Sequence, residues 1–370
     1  PCLDSYPHYI FFILFSQLFS HFLQSTGLYD SIKFIDHFVT LILGDKRMKS
    51  SQRESYIDVV RGLAIIFVVL GHLGMPAFAH SFIYGFHMPL FFILSGYLYS
   101  SSSQTSMPLL PYTRIKARAY LFPYVILALV NFFANLLMEK VQLSPSDLWI
   151  SSKSHLYWLL LTNDAYGISP NCEALWFLPC FFLVSVGFYR IQKQSTLVRS
   201  ALMFVLCLLQ AIFIVGNVQL PWHLNILPVC ILFVYVGWFI RHYKLLDRPF
   251  YVFAVLLVLG VTGSILNPVY LDLNHMSFGN LPLCLCGAIG MSYAILYICK
   301  HWLTKSPLLE LYGRNTLPIM GLHMLLSSLI LLVLNRIPLF AAYGYHWWLN
   351  AALILLLFIP VCLLPEKLHR

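Results

Sequence analysis

From about residue 56 onward, long apolar runs alternate with short polar breaks. A helix that crosses a hydrocarbon core needs roughly 20 mostly apolar residues. Ten segments fit that length, near 57–74, 82–99, 117–137, 174–190, 200–216, 225–240, 250–266, 281–299, 315–335 and 346–363. The pattern predicts an all-α fold, a polytopic membrane helix bundle with about ten transmembrane helices. No internal repeat stands out, which weakens the case for a transporter built from duplicated halves.

The start of the chain reads differently. Residue 1 is Pro, and the apolar stretch His8 to Leu23 is interrupted by Ser16, Gln17, Ser20 and His21. It lacks the basic region and small-residue cleavage site of a signal peptide. Met48 precedes a polar stretch and the first strong span. Residues 1–47 are therefore expected to be an upstream extension or an extra N-terminal helix, and 48–370 the membrane domain.

Loop charges give the orientation, because Lys and Arg collect on the cytoplasmic side. With the segment at Met48 inside, the inner loops hold 18 Lys and Arg, and the outer loops hold only Lys140, Lys153 and Arg336. One missed span would exchange every later loop, so so uneven a split supports the span count. Both ends of the core are expected in the cytoplasm of a cell whose inner (plasma) membrane carries the protein.

Composition agrees: 59% of residues are hydrophobic and 10% charged, against about 25% charged in soluble domains. Lipid must be the main solvent. The formal charge of +9 is explained by the inner loops and leaves no basic face for nucleic acid. Most of the nine cysteines lie in apolar runs, where Cys behaves as a small hydrophobe. Cys284 and Cys286 lack the partners of a zinc pattern, so neither metal nor disulfide framework is expected.

Titratable groups inside spans are costly and so are the first candidates for chemistry. In the first span Asp58 and Arg61 are three apart and can pair on one face. Arg61 and His72 are eleven apart, which returns to within about 20° of the same direction after roughly 16 Å of rise. The pair suits a fixed cation that holds a phosphorylated donor and an imidazole that accepts a proton near neutral pH. The plainer alternative is an arginine that snorkels and a histidine in a polar contact; the alignment favours function. His87 precedes Pro89 in the second span, and either lines the same cavity or sits at the outer interface. Ser95-Gly96 invites close approach by another helix. Arg114, Lys116 and Arg118 are fully explained as inner-loop charge, and phosphate binding is compatible with that. Asn315 and Thr316 are plausible N-caps, with His323 in the middle third of the ninth span. Glu173 opens the fourth span. The outer loop 138–173, with Trp149, His155, Tyr157, Trp158, Asn163, Asp164 and Tyr166, can bind a sugar or form an interfacial helix, and its composition favours the helix.

In their joint order these residues resemble the acyltransferase 3 family of membrane O-acyltransferases, nearest to the fucose O-acetylase-like members. The resemblance spans about 53 to 363. It rests on Asp58-x-x-Arg61-Gly62 with His72, then Phe86-His87-Met88-Pro89-Leu90-Phe91-Phe92, Ser95-Gly96-Tyr97, Arg114-Ile-Lys-Ala-Arg118, Leu175-Trp176-Phe177-Leu178, and Gly313-Arg-Asn-Thr316 leading to His323. It implies a bundle with an inner mouth for acyl-CoA and an outer mouth for a glycan or lipid-linked sugar. His72 would be the base and Arg61 would position the donor, with Asp58 beside it. His87 and His323 would line the cavity, and Arg61, Arg114, Lys116 and Arg118 would meet the phosphates. Acetyl-CoA would be a donor substrate, with no permanently bound cofactor. The activity expected is O-acyl transfer, direct or through an acyl-histidine. A sugar exporter or a non-catalytic partner in polymer synthesis are the competing readings.

Overall fold

A computed structural model describes residues 54–99, 106–338 and 346–368, with side chains described as far as 363. The extension 1–47, Met48 and most of the Ser-rich run 100–106 lie outside the described residues. The helices are α1 Ser55–Gly71, α2 Ala77–Tyr84, α3 His87–Tyr97, α4 Leu109–Lys140, α5 Pro145–Leu161, α6 Phe177–Gln192, α7 Thr196–Val215, α8 Leu227–His242, α9 Phe250–Leu266, α10 Leu281–His301, α11 Pro307–Arg314, α12 Thr316–Leu334 and α13 Trp347–Leu368. The only β pairing among the described residues is an isolated bridge between Asp272 and Ser277.

Each of the ten expected segments is helical, but their lengths differ. Seven helices among the described residues are long and apolar enough to cross a membrane, counting α2 and α3 together as Ala77–Tyr97. α1 and α9 have 17 residues each, and the apolar part of α13 is Trp347–Leu363. The sequence periods locate the helices, while the full count of ten crossings rests on three short members.

Local signals set several boundaries. Ser144, Ser195 and Asn280 accept hydrogen bonds from the backbone N–H three residues on, which caps α5, α7 and α10. Pro145 and Pro282 occupy first-turn positions, where no N–H is needed. Asn315 stands at the N-cap of α12, yet its side chain donates back to the Leu311 carbonyl (2.8 Å) and so ties α11 to α12 instead.

The core centres on α1, α3, α8 and α10, and two seams bring backbones together. A Cβ on Gly96 would overlap the Val234 carbonyl oxygen, and one on Gly237 would overlap that of Ile93, so α3 and α8 touch main chain to main chain. The second seam joins α1 to α11, where Gly62 lies on Leu309 and Gly313 on Asp58. At the other extreme, α7 exposes Leu197, Phe204, Leu208 and Ile212. Such a face is stable only against hydrocarbon.

Loop contacts sort the polar segments into two ends. At one, Arg241 reaches Glu54, Ser55 reaches Glu310, Lys193 reaches the Met107 carbonyl and Lys300 pairs with Asp247. At the other, Asn163 donates to Gln219, Trp222 to the Leu160 carbonyl, and His275 meets Asp164. These are the two loop sets that the charge tally separated. The segment 138–173 forms α5, which exposes Trp149, Ile150 and Tyr157 and buries His155 and Trp158. His155 faces Asn135 and Glu139 of α4, in a structural polar cluster.

Candidate active site

α1 runs unbroken from Ser55 and stops at Gly71. His72 caps it, with φ −93° and ψ 7°, and Gly74 then turns the chain at φ 61°. The next membrane segment is broken. Pro89 has no N–H to take up the Gly85 carbonyl, so α2 ends at Tyr84 and α3 restarts at His87. That break delivers His87 into the interior: it is 3% exposed, and its Nδ1 lies 3.1 Å from the Ile83 carbonyl.

His323 completes the set from α12. It is fully buried, with Nδ1 at 3.0 and 2.9 Å from the Ile319 and Met320 carbonyls. Carbonyls only accept, so Nδ1 carries the proton and Nε2 is a bare acceptor. That Nε2 has no hydrogen-bond partner among the described residues. It points away from its own helix backbone, and the His72 ring lies 5.3 Å from the His323 ring, centroid to centroid. Tyr84 joins the histidines, with its ring 6.2 Å from His72, 4.6 Å from His87 and 4.1 Å from His80.

His72 and His87 line a cavity of about 20 Å³, room for about one water. Its other walls include Tyr84, Glu173, Trp176, Asp272 and Asn274. Asn274 Nδ2 donates to Glu173 Oε1 (2.8 Å), and its Oδ1 pairs with His223 Nε2 (2.8 Å). His275 bridges Asp272 (2.8 Å) and Asp164 (3.1 Å), and Trp158 Nε1 donates to Asp164 (2.6 Å). The two aspartates raise the His275 pKa to about 10, so it is a cation at neutral pH. Burial alone would raise the Asp164 pKa, but the hydrogen bonds from His275 and Trp158 outweigh it and the net shift is downward.

Asp164, Glu173 and His275 place ligand atoms within 4.8 Å of one another, close enough to hold a cation. Both His275 nitrogens, both Asp164 oxygens and Glu173 Oε1 already have protein partners. The arrangement is a bridged latch between two loops.

The opposite end of α1 holds the guanidinium. Asp58 is 1% exposed and lies between Arg61 (3.3 Å) and Arg314 (3.5 Å), and Arg314 also pairs with Glu310 (2.9 Å). Arg61 acts electrostatically on Tyr120 of α4. The basic triplet divides. Lys116 sits 5.3 and 5.8 Å from the Tyr112 and Tyr120 ring centroids, and Tyr120 is the ring on which Arg61 acts. Arg114 and Arg118 line an outward groove of about 690 Å³ with Leu121, Phe122 and Val125. Between Arg61 and His72, the same face of α1 carries Ala64, Ile65 and Val68, all at most 1% exposed. The two groups share a buried seam packed with apolar side chains, and the His72 cavity opens toward Asp272 and Asn274, away from Arg61.

A family model described as an acyltransferase domain matches residues 54–366. The chain belongs to the acyltransferase 3 family. No curated protein and no solved structure gave a match. The match runs from α1 into α13, so this membrane acyltransferase has both the histidine cluster and the arginine pair inside the matched region. Tyr84, Asp272, Asn274 and Arg314 were not singled out from the sequence as site residues. Asp272-x-Asn274-His275 is a polar run between two apolar spans, and that contrast was the available signal. Arg314 was quoted only within the Gly313-Arg-Asn-Thr316 stretch and counted among the loop charges, with no site role.

Proposed function

We propose that this acyltransferase moves an acyl group, most simply acetyl, from coenzyme A to a hydroxyl of an exported or lipid-linked glycan. One observation carries the reading: His72, at the far end of the helix that bears Arg61, lines a cavity with His87 and has the His323 ring packed beside it. The donor phosphates meet Arg61, Arg314 and Lys116 at the end we assign to the cytoplasm, where cations collect. The pantetheine arm follows the α1 seam and displaces the apolar packing at Ile65 and Val68. The acceptor comes from the other end.

In the direct route the acceptor oxygen attacks the thioester carbonyl carbon while His72 takes the hydroxyl proton. The tetrahedral oxyanion then collapses, the C–S bond breaks, and the thiolate recovers the proton from His72. The products are an O-acyl ester and free coenzyme A. Nδ1-protonated His323, bonded to two carbonyls, fixes the wall against which His72 packs. The alternative through an acyl-histidine balances equally, with coenzyme A leaving before the acceptor binds.

The test is thiol release from acetyl-CoA by purified protein in nanodiscs. Release that His72→Ala abolishes, with expression normal, supports the assignment; activity that persists in the variant removes His72 as base. An exporter releases no thiol at all. Radiolabel retained on protein without acceptor selects the acyl-histidine route. NMR of surface glycans from deletion and parent cells identifies the acceptor.

A further inference from the structure

The outer wall of the histidine cavity has a charge of one sign, and its hydrogen-bonding groups match hydroxyls. We propose that the acceptor site takes an uncharged, hydroxyl-bearing ring and rejects the same ring bearing a carboxylate. This rests on the acyl-transfer reading above and names the substrate class for it.

Three carboxylates stand at this mouth. Glu173 and Asp272 line the cavity itself, and Asp164 lies one contact beyond, through His275. The lining contains no Lys or Arg. The nearby cation is His275, and both its ring nitrogens are committed to Asp164 and Asp272. Two aspartates and one imidazolium leave a net negative charge whether or not Glu173 is ionised. The basic residues on this side of the chain are elsewhere: Lys153, for example, stacks over Trp149 of α5 (4.8 Å).

Carboxylate and amide oxygens accept hydroxyl protons, and the Tyr84, Tyr270 and His80 rings form an aromatic group beside them. A second observation, independent of the acidic groups, points to a ligand here. His323 is fully buried with an unpartnered Nε2, and its ring is against the His72 ring that lines the cavity. An acceptor lone pair kept out of water has a use when a hydroxyl proton arrives. A uronic acid would bring a like charge against Asp272, whose side chain is only 14% exposed and so is screened less than a charge in bulk water.

The experiment compares methyl hexosides with their matching methyl uronides as acceptors. Full-length protein in nanodiscs receives acetyl-CoA at pH 7, and thiol release and ester formation are both read. The expected result is a kcat/KM at least about ten-fold higher for a neutral hexoside than for its uronide, equivalent to about 1.4 kcal/mol. Asp272→Asn is expected to reduce that ratio about three-fold or more. Asp164→Asn, which lies beyond the lining, is expected to reduce it in the same direction and keeps the test open if Asp272→Asn does not fold. Equal or better use of the uronide, in a reaction abolished by His72→Ala, overturns the charge-selection proposal and leaves acyl transfer standing. Thiol release that is absent with every acceptor, or indifferent to His72→Ala, overturns the acyl-transfer reading, and this proposal with it.

Discussion

Asp58 holds the N-terminal end of α1 to α11, and its removal is the most informative perturbation of that end. Its carboxylate lies 3.3 Å from Arg61 and 3.5 Å from Arg314 while itself almost wholly buried. At an effective dielectric near 20, each contact carries about 5 kcal/mol of bare attraction. Most of that does not survive. The two guanidinium side chains are 33% and 43% exposed, so water screens them and desolvation of the carboxylate offsets part of the rest. Exposed pairs contribute about 0–1 kcal/mol, and breaking a fully buried pair costs about 3–5 kcal/mol. One buried partner between two half-exposed ones places Asp58→Asn at about 2 kcal/mol. A double-mutant cycle with Arg314→Met separates the ion pair from the packing, with an expected coupling of about 1 kcal/mol. The assay is SDS-driven unfolding in mixed micelles, with thiol release measured on the same samples. Coupling below about 0.3 kcal/mol would mean that the carboxylate does not bridge the helices, and the proposed donor end would have to be rebuilt around other residues.

Gly313→Ala attacks the same seam by volume: a Cβ overlaps the Asp58 carbonyl, and separating α1 from α11 should cost about 1–3 kcal/mol or more in that unfolding assay. At the α3–α8 crossing, Gly96→Val is expected to abolish monodisperse expression, read by size-exclusion chromatography, because the overlap is with Val234 backbone that cannot rotate away. Lys116→Ala should raise the KM for acetyl-CoA about ten-fold, the scale of one charge-assisted contact, with kcat little changed, while Arg114→Ala, on the outward groove, should leave KM within about two-fold. Raising the pH should loosen the Asp164–His275–Asp272 latch. The His275 pKa is raised above its ordinary 6.5, so its contribution is fully present below about 6.5 and lost as pH rises through about 10. Protection from hydrogen exchange across 267–280, taken relative to the intrinsic rate at each pH, should fall in that range in the parent and stay flat in His275→Gln.

Much of the fold was legible because lipid imposes one rule on every span. Backbone groups must be paired within the segment and side chains must be apolar over a fixed length, so hydropathy located all ten helical segments and the Lys/Arg tally sorted their loops into the two sets that the contacts join. The family resemblance was legible for a related reason: Asp58, Arg61, His72, His87 and His323 are polar groups in apolar surroundings, and each is visible as an interruption. What the sequence could not supply was adjacency between spans. Helical period aligned Arg61 with His72, but only packing shows Ile65 and Val68 filling the space between them. The period is silent on neighbours, so the meeting of His72 with His323, residues 251 positions apart in the numbering, belongs to the tertiary structure. So does the division of Lys116 from Arg114 and Arg118, since a positive charge near a membrane looks alike in sequence whichever face of its helix it occupies. The loop 267–280 is the clearest case: its Asp272 and Asn274 reach the cavity because the chain between α9 and α10 folds back over α2 and α3, and no local pattern encodes where a loop lands.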